Sequence, residues 1–235
     1  MSSPDPSRES TAPGADRSWF VVPLFNEAAV IGDVIRDLRT RYPLVVCVDD
    51  GSTDDSARIA AEAGAAVVRH PYNMGQGAAI KTGIDYALRD PGMRQIVTFD
   101  SDGQHQVDDA AAMIAKREAE GVDVVLGSRF LDARTTPGLI KRAVLRAAVW
   151  YTNLTSGVKL TDAHNGLRVL GREACEKITI EQNRMAHASE IVEEIGRHRL
   201  TVAEHPVHIL YTDYSRSKGQ SVLNSVNIVI DMLFR

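Results

Sequence analysis

The 235-residue chain is poor in aromatics: Phe, Trp and Tyr make up 6% of it. That is thin for a β-sandwich core and for a protein that binds nucleic acid by stacking its bases. It has two cysteines, Cys47 and Cys175, far apart in mostly apolar surroundings. Neither a disulfide framework nor a zinc site is expected from them, and they suit a reducing cytoplasm. No run of about 18 apolar residues occurs, so no membrane-spanning helix is expected. The first 17 residues lack the apolar stretch of a secretory signal. There is no basic excess either: 27 Lys and Arg stand against 31 Asp and Glu, a net charge of −4, which excludes a globally basic nucleic-acid binder.

What is present is an ordinary soluble balance, 44% hydrophobic and 25% charged, in a length that fits one α/β domain with an appendage. The charge is unevenly spread. Residues 1–128 hold 12 basic and 20 acidic side chains, and residues 129–235 hold 15 and 11. An acidic first half suits a metal ion and a basic second half suits an anionic partner.

Residues 1–17, rich in Ser, Pro, Asp and Gly, read as a disordered tail. From Trp19 onward short apolar runs alternate with helical periodicity. Strands are expected at 19–22, 44–48, 65–69, 96–99 and 122–126, with helices after each of the first four. Asn26 is expected to cap the first helix, Ser52 or Thr53 to cap the second, and Gly64 to end the second. Near-continuous apolar strands alternating with helices predict an α/β fold: a mostly parallel central sheet with helices on both faces. After Gly127 a long basic helix is expected over 137–156, a polar loop over 161–165, a helix over 184–198, a strand over 201–211 and an amphipathic helix at the C-terminus. The domain is drawn as 18–221, with 222–235 as that last helix.

Open α/β sheets bind ligands at the carboxyl ends of their strands, and the unusual polar residues fall there. Pro23-Leu24-Phe25-Asn26-Glu27 follows the first strand, Asp49-Asp50-Gly51-Ser52 the second, Asp100-Ser101-Asp102-Gly103-Gln104-His105 the fourth and Gly127-Ser128-Arg129 the fifth. Asp100 and Asp102, two apart, share a side if the strand conformation persists. Adjacent carboxylates repel unless a cation sits between them, and a hard ion, Mg²⁺ or Mn²⁺, with Gln104 as a third oxygen donor, fits. Asn73-Met74-Gly75-Gln76-Gly77 is a glycine-rich loop before a helix, suited to a phosphate. It is neither a dinucleotide fingerprint, since Ile80 stands in the place of the third glycine, nor a Walker A loop, since no glycine precedes Lys81.

Taken in order, these five motifs, the last extended by Phe130, resemble family 2 inverting glycosyltransferases of the GT-A fold. Within them they resemble the polyprenyl-phosphate branch, the dolichol-phosphate mannose or glucose synthases. The likeness covers roughly residues 19–221, and it extends to Thr161-Asp162-Ala163-His164-Asn165-Gly166-Leu167-Arg168, where Leu167 replaces the branch's usual Phe. The resemblance implies that Pro23, Phe25, Glu27, Val48 and Asp50 line a nucleoside pocket. Asp100, Asp102 and Gln104 would hold the metal and the donor diphosphate, with Ser101 and Lys81 completing the donor set. Arg129 would meet a phosphate. Glu190 is a candidate base or acceptor-positioning group, and Asp162 is the other candidate base. Arg216 and Lys218, in a basic hydroxyl-rich loop, would close over the donor phosphates, while Arg142 and Arg146, four apart on one helix face, would meet the lipid phosphate or the membrane surface.

The activity so implied is transfer of a hexose from a nucleotide-diphosphate sugar, of the GDP-mannose or UDP-glucose type, to a polyprenyl phosphate at the cytoplasmic membrane face. The alternative is a soluble enzyme acting on a hydroxyl. A lipid phosphate is already an anion and needs no strong base, whereas a hydroxyl does. The C-terminal helix, with about 13 residues, can lie in an interface but not cross it. Contact with the membrane is therefore expected to be peripheral or through a small membrane-protein partner, and homo-oligomerisation is left open.

Overall fold

The computed structural model describes residues 17–131, 149, 153, 156–162 and 165–210. Seven strands form one sheet: β1 (Ser18–Leu24), β2 (Val45–Asp49), β3 (Ala66–Arg69), β4 (Gln95–Thr98), β5 (Val124–Ser128), β6 (Arg168–Gly171) and β7 (Val202–Pro206). The helices bounded within the described residues are α1 (Ile31–Arg39), α2 (Ser56–Glu62), α3 (Gln76–Ala87), α4 (Val107–Glu120), α5 (Arg172–Lys177) and α6 (His187–Arg197). The strand order is β3-β2-β1-β4-β6-β5-β7. Pairings β1–β2, β1–β4, β2–β3 and β5–β7 are parallel, and β6 runs antiparallel between β4 and β5. The sheet is thus mostly parallel, as its apolar strands imply.

Helices cover both faces because side chains alternate along each strand. On β1, Phe20, Val22 and Leu24 pack with Ile35 and Leu38 of α1 and Met113 of α4. Val21 faces the other way, into a layer with Ile80 and Ile84 of α3 and Ile191 and Ile195 of α6. The α3 layer is close: a Cβ on Gly83 would overlap Val21 Cγ1, so a small residue there lets the helix sit down on the sheet. Cys47 and Cys175 are buried free thiols.

The strand β6 and the helix α5 were not expected. Arg168-Val169-Leu170-Gly171 is too short to show alternation, and it opens on a buried arginine, 3% exposed. The expected caps also differ. Asn26 sits in the left-handed region (φ 53°) and takes the Thr53 N–H on its side-chain oxygen at 2.9 Å. Its own N–H donates to Ser52 Oγ at 2.9 Å. Asn26, Ser52 and Thr53 therefore stitch the β1 and β2 loops to each other. The helix caps are instead Val30 and Asp55, neither of them through a side chain. Gly64 does follow the end of α2 with a positive φ of 98°, and the Gly64 N–H donates to Ala61 O.

Among the described residues no helix is long and apolar enough to cross a membrane. The tail, most of the basic helix with Arg142 and Arg146, the loop with Arg216 and Lys218, and the C-terminal helix lie outside the described residues.

Candidate active site

The strand order reverses between β1 and β4, since β1 connects outward to β2 while β4 leads the other way. Such a switch point opens a crevice at the carboxyl ends of the two strands. Phe25 and Glu27 leave β1 at this crevice, and Asp100, Ser101 and Asp102 leave β4. The β1 and β2 loops are locked together there by side chains from the segment that follows β2. Ser56 Oγ takes the Glu27 N–H at 2.7 Å, and Asp54 takes the Ala28 N–H at 3.2 Å.

Asp50, 3% exposed, is the anchor of one wall. Its Oδ1 accepts from the Met74 N–H and lies 2.8 Å from His70 Nδ1, while its Oδ2 accepts from the Gly75 N–H at 2.7 Å. His70 Nε2 is 2.9 Å from Thr82 Oγ1 on α3. The neighbouring Asp49 turns to Arg69 at 2.9 Å and to the Ser52 N–H at 3.1 Å. The glycine-rich loop therefore serves Asp50 and the chain itself. The Gly77 and Ala78 N–H groups at the start of α3 donate to Asn183 O at 2.8 and 3.3 Å. The phosphate cradle expected of this loop is not what its amides do here.

Asp100 and Asp102 are pushed in opposite directions. Burial works to raise the Asp100 carboxyl, but the hydrogen bond from His105 and the nearby His105, Arg168 and His187 outweigh it and hold it below the usual carboxylate range. Its Oδ2 is 2.9 Å from His105 Nε2, and its Oδ1 accepts from Gln76 Nε2 at 3.1 Å. Burial, then the charges of Asp100 and Glu27, push Asp102 up to about 6, against the opposing Gln104 N–H and His105. Its Oδ1 takes that N–H at 3.0 Å, and its other oxygen has no hydrogen-bond partner among the described residues.

An oxygen donor pair with a carboxylate that binds protons too well fits a hard divalent cation. No group of three or more His, Cys, Asp or Glu side chains able to hold a metal occurs among the described residues. Gln104, the proposed third donor, is buried, 6% exposed; its main-chain carbonyl takes the Leu210 N–H at 2.9 Å.

On the β5 side, Arg129 forms a bidentate pair with the buried Asp162. Arg129 Nε and Nη2 donate to Asp162 at 2.6 and 2.8 Å, and the Arg129 N–H adds a third bond at 3.1 Å. Glu204 holds the Thr161 and Asp162 N–H groups. Asp162 is thus committed to orienting Arg129, which corrects its expected role as a free base. Glu190 is committed too: its two oxygens accept from the Glu181 and Gln182 N–H groups at 3.1 and 2.9 Å.

Two donor-site expectations also change. Val48 is fully buried in the layer under α3, so its side chain packs in the core and does not line the crevice. Lys81 is exposed and pairs with Asp85 at 3.2 Å, about 140° around α3 from Gln76, the residue of that helix that reaches Asp100. Pro23 and Ser101 are buried, and Phe25 is 43% exposed at the rim.

Four partners of the aspartates carried no role in the sequence reading: His70, Gln76, His105 and Arg168. Arg168 is brought down to about 10 by burial, against the charges of Asp100 and Asp162, so it lies near both carboxylates. Gly166 packs beside the same group: a Cβ there would overlap the Asp100 carboxylate. Gln76, His105 and Arg168 stand inside quoted motifs, so the signal was present without a chemistry attached; His70 stands in none.

The sequence profile described as Glycosyl transferase family 2 matches residues 19–179. The chain belongs to this family. It is a glycosyltransferase. It is 35% identical over 225 residues to an uncharacterised protein of Methanocaldococcus jannaschii, covering 94% of this chain and 92% of that one. It is 27% identical over 237 residues to the UDP-N-acetylglucosamine–dolichyl-phosphate N-acetylglucosaminyltransferase of Methanococcus voltae, covering 92% and 94%. The crystal structure of glucosyl-3-phosphoglycerate synthase from Mycobacterium tuberculosis with Mg²⁺ and uridine diphosphate superposes with a TM-score of 0.69 at 17% identity, covering 94% of this chain and 80% of that one. At that identity the family 2 enzyme shares the GT-A fold with it.

Proposed function

We propose that this glycosyltransferase moves a hexose from a nucleotide-diphosphate sugar to a polyprenyl phosphate, with inversion, at the cytoplasmic membrane face. The observation that carries the choice of acceptor is the state of the two candidate bases. Asp162 is spent on Arg129, and Glu190 on main-chain amides. A hydroxyl acceptor needs a carboxylate base within reach. A phosphate arrives as an anion and needs cations to hold it near the sugar. Arg129, preset by Asp162, is such a cation. The lipid-phosphate acceptor named for the Methanococcus voltae relative supports the same reading.

Phe25 and Asp50 form the nucleoside side of the site. Three bonds fix the Asp50 carboxylate, and one acceptor direction on Oδ2 is left for a base N–H. Asp100 and Asp102, with Gln104, would hold Mg²⁺ or Mn²⁺, which when bound stabilises negative charge on a diphosphate leaving group. His105 and Gln76 hold Asp100 in place, and His105, with Arg168, keeps that carboxylate ionised. GDP-mannose and UDP-glucose are the donors first expected. Arg142, Arg146, Arg216 and Lys218 are proposed as the membrane and phosphate contacts of a peripheral enzyme.

Thermal shift with GDP-mannose, UDP-glucose and UDP-N-acetylglucosamine, each with Mn²⁺ or Mg²⁺, identifies the donor. Transfer of the labelled sugar is then compared between a polyprenyl phosphate and a panel of hydroxyl acceptors. Turnover confined to hydroxyls would overturn the choice of acceptor.

A further inference from the structure

The turn at residues 181–183 precedes α6 and touches the start of α3. Its side chains, with that of Arg184, are exposed, so after the buried Ile180 no apolar contact of its own pins it. Hydrogen bonds do. Glu190, one turn into α6, holds the Glu181 and Gln182 N–H groups, one on each carboxylate oxygen. Asn183 O then takes the N–H groups of Gly77 and Ala78. The fit is close enough to dictate sequence: a Cβ on Gly75 would overlap Asn183 O, and a Cβ on Gly77 would overlap Gln182 O. Gly75 and Met74 in turn donate to Asp50. A continuous chain of bonds therefore runs from Glu190 through the turn and the glycine-rich loop to Asp50, and on to His70 and Thr82.

We propose that Glu190 is a positioning residue that fixes the glycine-rich loop, and through it Asp50, rather than a base. A carboxylate suits this task because two N–H donors converge on it and it has acceptors only. Glutamine of the same shape would turn an NH₂ toward one of the two amides. The consequence for nucleotide binding rests on the donor-pocket reading above; the consequence for the loop does not.

The test is residue-resolved hydrogen exchange on the full, ligand-free chain, comparing wild type, Glu190→Gln and Gly77→Ala. The second variant pushes the same turn away from the opposite side. In both, the amides of 181–182, 77–78 and 74–75 are expected to exchange faster, by about tenfold where one hydrogen bond is lost, while Val97 in β4 is unchanged. In turnover, Glu190→Gln is expected to raise KM for the donor by a similar factor, with kcat and its pH profile little altered. Unchanged exchange at 74–78 in Glu190→Gln would overturn the proposal. So would a loss confined to kcat with a displaced pH profile, which is the signature of a base. If exchange responds as expected but wild type binds none of UDP-glucose, GDP-mannose and UDP-N-acetylglucosamine with Mn²⁺, the donor reading fails and the positioning role stands.

Discussion

Asp102→Asn should make the metal-free protein more stable at pH 8 and leave it unable to respond to Mn²⁺. The Asp102 carboxyl is raised from 3.8 to about 6 by burial and by Asp100. A raised carboxyl takes up a proton on folding between those values, so its contribution is favourable below about pH 4 and is lost as pH rises through 6. At pH 8 the ionised side chain costs at most about 3 kcal/mol, at 1.36 kcal/mol for each pH unit between 3.8 and 6. Solvent screening at this half-buried site lowers that figure. Asparagine keeps the oxygen that takes the Gln104 N–H and removes the charge. Urea melts at pH 8 should favour the variant by about 1–3 kcal/mol, or about 2–4 °C in Tm for each kcal/mol in a chain of this size. The gap should close by pH 4. Adding Mn²⁺ should raise the Tm of wild type and not of the variant. A variant that melts no higher than wild type at pH 8, or an advantage equally large at pH 4, would refute the reasoning.

Arg129→Ala strands the Asp162 carboxylate in a buried site and should cost about 3–5 kcal/mol in chemical denaturation; Arg129→Lys, which cannot make the fork, should recover part of the stability but not the activity. Gly83→Ala adds a methyl against Val21 and should destabilise by about 1–3 kcal/mol in urea, although alanine gains about 1 kcal/mol in helix propensity. Asp50→Asn replaces an acceptor that holds Met74, Gly75 and His70 with a group that donates. Nucleotide affinity, measured by titration calorimetry with UDP or GDP and Mn²⁺, should fall about 10-fold or more.

The parallel framework was legible because strands buried on both faces are written as unbroken apolar runs, such as Phe20-Val21-Val22 and Val45-Val46-Cys47-Val48. The rim was legible because Asp50, Asp100, Asp102 and Arg129 each follow such a run. What sequence reading could not supply was the partner of each polar residue. Asn26 and Ser52 look like helix caps until the β1 and β2 loops are brought side by side. Asp162 and Glu190 look like bases until Arg129 and the 181–183 turn arrive from elsewhere in the chain. The glycines at 75 and 77 suggest room for a phosphate, and the space is filled by main chain from residues 182 and 183. Strand β6 was hidden by Arg168, whose burial is tolerable only beside Asp100 and Asp162, a long-range compensation that no local pattern displays.

Transfer from a labelled nucleotide sugar to a short-chain polyprenyl phosphate, with Mn²⁺ and with EDTA, tests the central claim most directly. A lipid-linked hexose formed with Mn²⁺, absent with EDTA and absent for Asp102→Asn is the expected result. Metal-independent transfer, or transfer to hydroxyl acceptors with none to the lipid phosphate, would contradict it.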